Sequence, residues 1–174
     1  MEAVAGNLRT IRDWVRFGAS AFNAAGLVFG HGTDNAFDEA LALVLHVLHL
    51  DHSIALEYLD VRLTEVEATR VHALFERRVT ERIPAAYLTR EARFAGLEFY
   101  VDERVVIPRS PIAELIERRF EPWVEADGVE RVLDLCCGSG CIGIACAVAF
   151  PEAEVTLADS DPAALEAAQR NVAD

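Results

Sequence analysis

The amino-acid sequence predicts an α/β protein with an N-terminal helical domain, a β-hairpin connector and the beginning of a doubly wound parallel α/β domain. Apolar residues recur at helical spacing in the first half, short alternating segments follow Pro84, and two strand-then-helix pairs complete the chain. Such pairs in succession are typical of a parallel sheet with right-handed crossovers. We therefore predict three parts, over residues 1–83, 84–107 and 108–174.

The helical half carries recognisable signals for the start of its helices. The stretch GHGTDN, residues 30–35, is expected to end one helix and to supply caps for the next, over about 36–50. Thr64 followed three residues later by Glu67 is the pattern of a capping box, in which each residue satisfies a free backbone N–H group of the other. A third helix is therefore predicted to begin at this point.

The connector and the following segment change the periodicity. ARFAGLEFYVD, residues 92–102, contains two strand-like runs separated by a glycine-containing turn, which predicts a β-hairpin. PRSPIAELIERRF, residues 108–120, predicts a new helix, because Ser110 can cap the free N–H groups and Pro111 suits the first helical position.

Two strands and two helices are predicted to alternate after this helix. They are VERVLDLCC (129–137), GCIGIACAVAF (140–150), AEVTLAD (153–159) and PAALEAAQRNV (162–172). Gly138, Gly140 and Gly143 match the pattern G-x-G-x-x-G at the first strand-to-helix turn, and Asp159 ends the second strand. Because glycines let a ligand approach the backbone and a carboxylate can accept both hydroxyls of a ribose, the sequence predicts a nucleoside-type ligand.

Asp134 distinguishes two classes of nucleoside ligand. A dinucleotide places its pyrophosphate at a helix N-terminus, where N–H groups and the helix dipole favour negative charge. S-adenosylmethionine has no phosphate and carries a sulfonium and an ammonium, so a carboxylate at the loop entrance attracts it and repels a pyrophosphate. With Asp134 at that entrance, we favour S-adenosylmethionine and keep a nicotinamide-dependent oxidoreductase as the alternative of another class.

The cysteines do not predict a metal site. Cys136, Cys137, Cys141 and Cys146 lie within eleven residues but lack the paired C-x2-C spacing of zinc sites, and the last two are expected to be small buried residues of a helix. The role of Cys137 is less certain, because a thiol near a helix N-terminus can have a lowered pKa and be reactive. Asp161, which precedes a proline, is interpreted as a helix cap.

The histidines also do not form a catalytic group with any nucleophile in the sequence. All five fall in the helical half, where we expect capping, core or surface roles: His31, His46, His49, His52 and His72. A thiol nucleophile in the second half would therefore lack a nearby histidine base.

Composition limits the partners and the compartment. With 52% hydrophobic and 26% charged residues the chain is globular, and its net charge of −13, with arginine supplying all 16 cations, makes direct nucleic-acid binding unexpected. The acidity favours a basic protein partner or serves solubility. The N-terminus shows no signal peptide, and the apolar run 41–50 is about half the length that a bilayer requires. Free thiols then predict a cytoplasmic location.

Several longer segments resemble one enzyme family. They are GHGTDNAFDEA (30–40), ERIPAAYLTREARFAGLEFYVDERVVIPRSPIAELI (81–116), VLDLCCGSGCIGIACAVAFPEAEV (132–155) and ADSDPAALEAAQRN (158–171). The chain resembles the glutamine N5-methyltransferases that modify proteins of the translation apparatus, from its first helices to its last residue. GHGTDN and PRSPI resemble the branch that methylates a glutamine of ribosomal protein L-three. The release-factor branch, which typically has an acidic residue and a threonine after the proline-arginine pair, is the alternative.

The resemblance implies a Rossmann-like domain that uses S-adenosylmethionine to methylate a glutamine side-chain nitrogen, with the helical half recognising a basic ribosomal protein. Asp159 would hold the ribose. The other implied cofactor residues are Asp134, Cys136, Cys137, Gly138, Ser139 and Gly140. Cys137 stands where the family commonly has a threonine, which puts a hydroxyl contact in doubt. Pro108 and Arg109 would lie near the substrate cleft; a well-started helix with an exposed arginine explains them equally.

One motif of the family does not occur in this sequence. The family carries an Asn-Pro-Pro-Tyr segment that grips the glutamine amide, and the sequence ends at Asp174 without it. Amide nitrogen is a poor nucleophile that needs such positioning, so we expect no methyl transfer from this chain alone. Two parallel strands also leave both outer edges unpaired, which predicts either a fragment of a longer enzyme or self-association through those edges. A non-catalytic binding module is the remaining alternative.

Overall fold

A computed structural model describes residues 7–30, 32–51, 53 and 56–174. The roles predicted for His31 and His52 lie outside these described residues. Contacts divide the chain into two compact units, Met1–Thr89 and Arg90–Asp174, called here the helical unit and the α/β unit. The hairpin thus shares its contacts with the segment that follows it, while the predicted division into three parts stays a prediction.

Two helices of the helical unit begin where the local signals place them. Its elements are α1 (Ile11–Ala24), α2 (Ala36–Leu48), a short 3-10 helix (Leu56–Asp60), α3 (Glu65–Thr80) and α4 (Ala85–Thr89). The predicted capping box is confirmed: the Glu67 N–H donates to Thr64 Oγ1, and the Thr64 N–H donates to Glu67 Oε2 at 2.7 Å. Asn35 of the GHGTDN stretch caps α2 by accepting from the Asp38 N–H at 2.9 Å. Helix α4 was not predicted from the sequence.

The core of the helical unit is aromatic at its centre. Trp14, Phe22 and Phe75 are at most 1% exposed, and the rings of Phe22 and Phe75 meet edge to face at 5.1 Å. A Cβ at Gly18 of α1 would lie 2.5 Å from Phe75 Cε2, so this glycine allows α1 to approach α3. Any larger residue at position 18 would therefore force the Phe75 ring to move.

A buried ion pair joins α2 and α3. Arg78 Nε donates to Glu39 Oε1 at 2.7 Å, and the two side chains are 5% and 2% exposed. Arg78 Nη2 also donates to the Val28 carbonyl at 3.2 Å, and Thr33 Oγ1 donates to Glu39 Oε2 at 3.4 Å. The pair therefore fixes the connection between α1 and α2 as well as the two helices.

The α/β unit confirms the predicted fold class. Its elements are β1 (Glu91–Phe94), β2 (Leu97–Tyr100), α5 (Ile112–Glu117), a 3-10 turn (Ala126–Gly128), β3 (Arg131–Leu135), α6 (Cys141–Ala149), β4 (Glu154–Ala158) and α7 (Pro162–Ala173). Strands β1 and β2 form the predicted antiparallel hairpin. Strands β3 and β4 pair in parallel, with Val132 opposite Val155 and Leu135 opposite Ala158. The alternation of parallel strands with helices is thus as predicted.

Two helix starts in this unit were predicted, one of them correctly and the other a residue too early. Asp161 caps α7 by accepting from the Ala163 N–H at 2.9 Å, which confirms its interpretation as a cap. The Ser110 hydroxyl accepts from the Ile112 N–H at 3.3 Å, but α5 is far shorter than the predicted 108–120. It ends early because Arg119 and Phe120 have φ of 52° and 59°, a left-handed conformation that cannot continue a right-handed helix.

The core of the α/β unit combines the hairpin with the first helix of the parallel part. Phe94 and Phe99 of the hairpin belong to the same buried cluster as Ile116 and Phe150. Among the described residues, no helix is long and apolar enough to cross a bilayer.

Candidate functional site

The segment between β3 and α6 is a tight loop with an unusual backbone. Cys136, Gly138 and Gly140 all have positive φ, at 63°, 54° and 77°. The Gly140 N–H donates to the Cys137 carbonyl at 2.8 Å, and the Cys137 N–H donates to the Ala158 carbonyl at the end of β4 at 3.0 Å. A left-handed conformation is ordinary for glycine but uncommon for cysteine, so the sequence did not indicate it at Cys136.

Asp159 is brought directly onto this loop, as the sequence predicts. Its Oδ2 accepts from the Gly138 N–H at 2.9 Å, and its Oδ1 accepts from the Asp161 N–H at 3.0 Å. These two backbone hydrogen bonds, with that from Asp161 the stronger cause, hold the pKa of the Asp159 carboxyl below its usual value. The ionised carboxylate has further lone pairs on both oxygens and can still accept from two hydroxyls.

The three glycines of the motif differ in their surroundings. A Cβ at Gly138 would meet nothing within 4 Å, so the space beside the loop is open there. A Cβ at Gly140 would lie 3.1 Å from Leu157 Cδ1 and 3.3 Å from Ala168 Cβ. A Cβ at Gly143 would overlap Leu157 Cδ2. The space beside Gly138 is therefore open, whereas Gly143 lets α6 pack closely on β4.

Asp134 has a partner inside the fold. Its Oδ2 accepts from the N–H of Gly143, the third residue of α6, at 2.8 Å. This bond satisfies one of the free N–H groups at the helix start and leaves a negative charge there. A pyrophosphate would have to share the helix N-terminus with that carboxylate, which supports the choice of a cationic ligand over a dinucleotide.

The four thiols differ in their exposure. Cys137, Cys141 and Cys146 are buried and Cys136 is exposed. Burial is the largest cause that raises the pKa of the Cys137 thiol, and the nearby charges of Asp134 and Asp159 raise it further. The hypothesis of a lowered Cys137 pKa was therefore wrong, because burial first and the two carboxylates second raise the pKa of this thiol. Within the described ranges no three His, Cys, Asp or Glu side chains are placed to share a metal ion.

Ser139 and the substrate-cleft pair complete the predicted set. Ser139 is 2% exposed and its carbonyl accepts from the side chain of Asn171 of α7, a residue that the sequence analysis did not single out. Pro108 is buried and Arg109 exposed in the irregular segment before α5. Their placement near a substrate cleft stays a prediction.

The helical unit has an open surface cavity of about 360 Å³. Apolar and cationic side chains line it: His46, Val47, His49, Arg70, Ala73, Leu74 and Arg77. None of these residues was predicted to bind the cofactor, so the cavity does not coincide with the glycine loop.

Comparisons with known proteins show which proteins this chain is similar to. The family described as "Methyltransferase small domain" matches residues 122–174. A "Ribosomal protein uL3 glutamine methyltransferase" of Xanthomonas campestris is 56% identical over 171 residues, which is 98% of this chain and 56% of that protein. Proteins of the same name are 53% identical over 168 residues in Bordetella pertussis (96% of the chain, 56% of the relative) and 54% identical over 169 residues in Xylella fastidiosa (97% and 54%). The chain thus spans about half the length of the curated relatives it matches.

Proposed function

We propose that this chain provides the cofactor-binding loop and the substrate-recognition domain of an S-adenosylmethionine-dependent protein-glutamine N5-methyltransferase that acts on ribosomal protein uL3. The observation that carries the proposal is the bond between Asp159 Oδ2 and the Gly138 N–H at a loop with open space beside it. Relatives that share more than half of its residues carry this activity in their names, which supports the same assignment.

The residues present fit the proposed cofactor. Asp159 would accept the ribose hydroxyls while its backbone bonds keep the carboxylate ionised and oriented. The loop Cys136 to Gly140 would receive the nucleoside, since nothing lies within 4 Å of the Cβ position of Gly138. Asp134 would add an attractive negative charge for the cofactor's cationic groups. Bound S-adenosylmethionine supplies the electrophilic methyl group on its sulfonium.

The substrate assignment rests on charge and similarity. A chain of net charge −13 is attractive to a basic ribosomal protein, and we propose that the helical unit provides the recognition surface, with Pro108 and Arg109 close to the substrate cleft. A cytoplasmic location and a Rossmann-like domain fit this role. Self-association through the outer edges of β3 and β4 also remains a proposal.

Calorimetric titration of the chain with S-adenosylmethionine tests the cofactor assignment, with NAD as the competing ligand. Asp159→Ala should weaken S-adenosylmethionine binding by about 10-fold to 100-fold, because it removes charge-assisted hydrogen bonds worth about 1.5–3 kcal/mol. Asp127→Ala is the matched control, since the Asp127 side chain is 99% exposed. Selective binding of NAD, or no binding of either ligand by the parent chain, would contradict the proposal.

A pull-down with purified uL3 tests the substrate, with a peptide-chain release factor as the alternative partner. We expect the chain to retain uL3 and not the release factor. Preference for the release factor would move the proposal to that branch of the family.

A further inference from the structure

We infer that Asn171 is a positioning residue that holds the glycine loop of the proposed cofactor site against the β-hairpin. The inference rests on the proposed function for the identity of the ligand. Asn171 lies in the last turn of α7, and its side-chain amide makes three hydrogen bonds. Its Oδ1 accepts from the Tyr100 N–H at 2.7 Å, and its Nδ2 donates to the Tyr100 carbonyl at 3.0 Å and to the Ser139 carbonyl at 2.9 Å.

Asn171 and Asp159 hold the glycine loop at neighbouring residues. Asp159 accepts the N–H of Gly138, while Asn171 donates to the carbonyl of Ser139, the next residue. The backbone groups at both ends of the Gly138–Ser139 pair are therefore held by side chains. Since Gly138 and Gly140 have positive φ and glycine has wide conformational freedom, the loop needs such contacts to keep one conformation.

Only an amide can make this set of contacts. Its carbonyl oxygen accepts while its NH₂ group donates twice, so it pairs with the N–H and the carbonyl of Tyr100 as a neighbouring strand would. A carboxylate of the same shape keeps the acceptor, loses both donors and places a negative charge against two carbonyl oxygens. Asn171→Asp is therefore a selective change with almost no change in volume.

Two further contacts hold the hairpin and the segment that follows it on α7 without Asn171. The Arg170 guanidinium lies 3.7 Å from the centre of the Tyr100 ring, and Arg104 Nη1 donates to Glu166 Oε2 at 2.8 Å. The hairpin should therefore stay docked in Asn171→Asp, so that the main effect falls on the glycine loop. A residue that only stabilised the fold would instead lower the stability of the whole α/β unit.

The test compares Asn171→Asp with Gln169→Glu, which makes the same amide-to-acid change at an exposed position of the same helix. We measure the dissociation constant for S-adenosylmethionine and the amide hydrogen exchange of Gly138, Ser139 and Gly140. For Asn171→Asp we expect at least about 10-fold weaker binding and about 10-fold faster exchange at these three amides, with exchange in β3 and β4 unchanged. Gln169→Glu should match the parent chain in both measurements.

The two readouts separate this inference from the proposed function. Unchanged loop exchange and affinity in Asn171→Asp, beside a parent chain that binds the cofactor, would overturn the positioning role alone. Faster loop exchange together with a parent chain that does not bind S-adenosylmethionine would support the hold on the loop and overturn its link to that cofactor. If Asn171→Asp fails to fold, Asn171→Ala repeats the test without the added charge.

Discussion

At the scale of single residues, the glycines of one motif have different physical roles. Gly138 faces open space with φ of 54°, whereas Gly143 has no room for a methyl group because Leu157 lies against it. The sequence pattern alone does not distinguish the roles of these two glycines. Substitution by alanine should therefore separate ligand binding from stability.

We expect Gly143→Ala to lower the free energy of unfolding by about 2 kcal/mol, because the added methyl group overpacks the contact between α6 and β4. Gly138→Ala should cost only about 1 kcal/mol, the strain of a left-handed alanine, yet it should weaken S-adenosylmethionine binding at least as much as Gly143→Ala does. Urea denaturation and calorimetric titration measure the two effects. Equal losses of stability in both variants would contradict this assignment.

Asp102 provides a residue-level prediction about pH. Its carboxylate is 11% exposed and accepts from Arg104 Nη2 at 2.7 Å and from the Tyr100 hydroxyl at 2.8 Å. The side-chain hydrogen bond from Arg104 is the main cause that holds the Asp102 pKa far below its usual value. A lowered pKa in the folded state stabilises the fold above the unfolded pKa of about 4, and this contribution is lost as pH falls below that value.

We therefore expect Asp102→Asn to reduce the free energy of unfolding by about 2 kcal/mol at neutral pH. The difference from the parent chain should narrow progressively as pH falls below about 4. Urea denaturation across this range measures it, and Glu103→Gln, at an exposed neighbouring residue, is the control. A difference that stays constant down to pH 2 would contradict the lowered pKa.

The residue scale also shows where sequence reasoning succeeds. The position of Asp159 beside the loop was predictable, because the carboxyl ends of neighbouring parallel strands meet at the same edge of a sheet. Asn171 was not, since its partner Tyr100 is 71 positions away and an asparagine near a helix end is unremarkable in sequence. The prediction for the Cys137 pKa was wrong because the helix N-terminus can be recognised in the sequence, while burial and the approach of two carboxylates cannot.

At the scale of elements, the starts of α2, α3 and α7 were predictable, whereas the end of α5 was not. Thr64 with Glu67, and Asp161 before its proline, act within three residues of themselves, so their patterns are complete in the sequence. The end of α5 depends on the left-handed conformation of Arg119 and Phe120, which neither residue type favours. Tertiary packing therefore decides it.

The ion pair between α2 and α3 gives a prediction at this scale. Removing one partner of a buried pair leaves an uncompensated charge, so Glu39→Gln and Arg78→Met should each lower the free energy of unfolding by about 3–5 kcal/mol. The double variant should lose clearly less than the sum of the two. The control is the exposed pair of Arg77 on α3 and Glu81 just after it, 3.4 Å apart, whose loss should cost about 0.5 kcal/mol or less. Additive losses at Glu39 and Arg78 would show that the pair is not coupled.

At the scale of the whole molecule, the fold class was predictable from the alternation of strands and helices. The unit to which the hairpin belongs was not. Phe94 and Phe99 enter the apolar cluster of the α/β unit, and a hairpin's sequence does not specify which neighbour covers it. The contact boundary therefore lies after Thr89.

The net charge of −13 predicts that binding to the proposed basic substrate depends on salt. Attraction between opposite net charges is screened by salt, with a Debye length of about 10 Å at 0.1 M and about 3 Å at 1 M. We expect the dissociation constant for uL3 to rise at least about 10-fold between 0.05 and 0.5 M NaCl, mainly through slower association. S-adenosylmethionine affinity should change far less over this range. A salt-independent affinity for uL3 would contradict electrostatic recognition.

The exposure of Cys136 has a practical consequence for spectroscopy. Of the four cysteines, all free, this is the one that is exposed, and it lies two residues before Gly138 at the start of the loop. A thiol-reactive fluorophore or a fluorine tag should therefore attach there selectively in the native protein. The unaltered chain thus offers a reporter for motion of the loop, with no cysteine to remove and none to introduce.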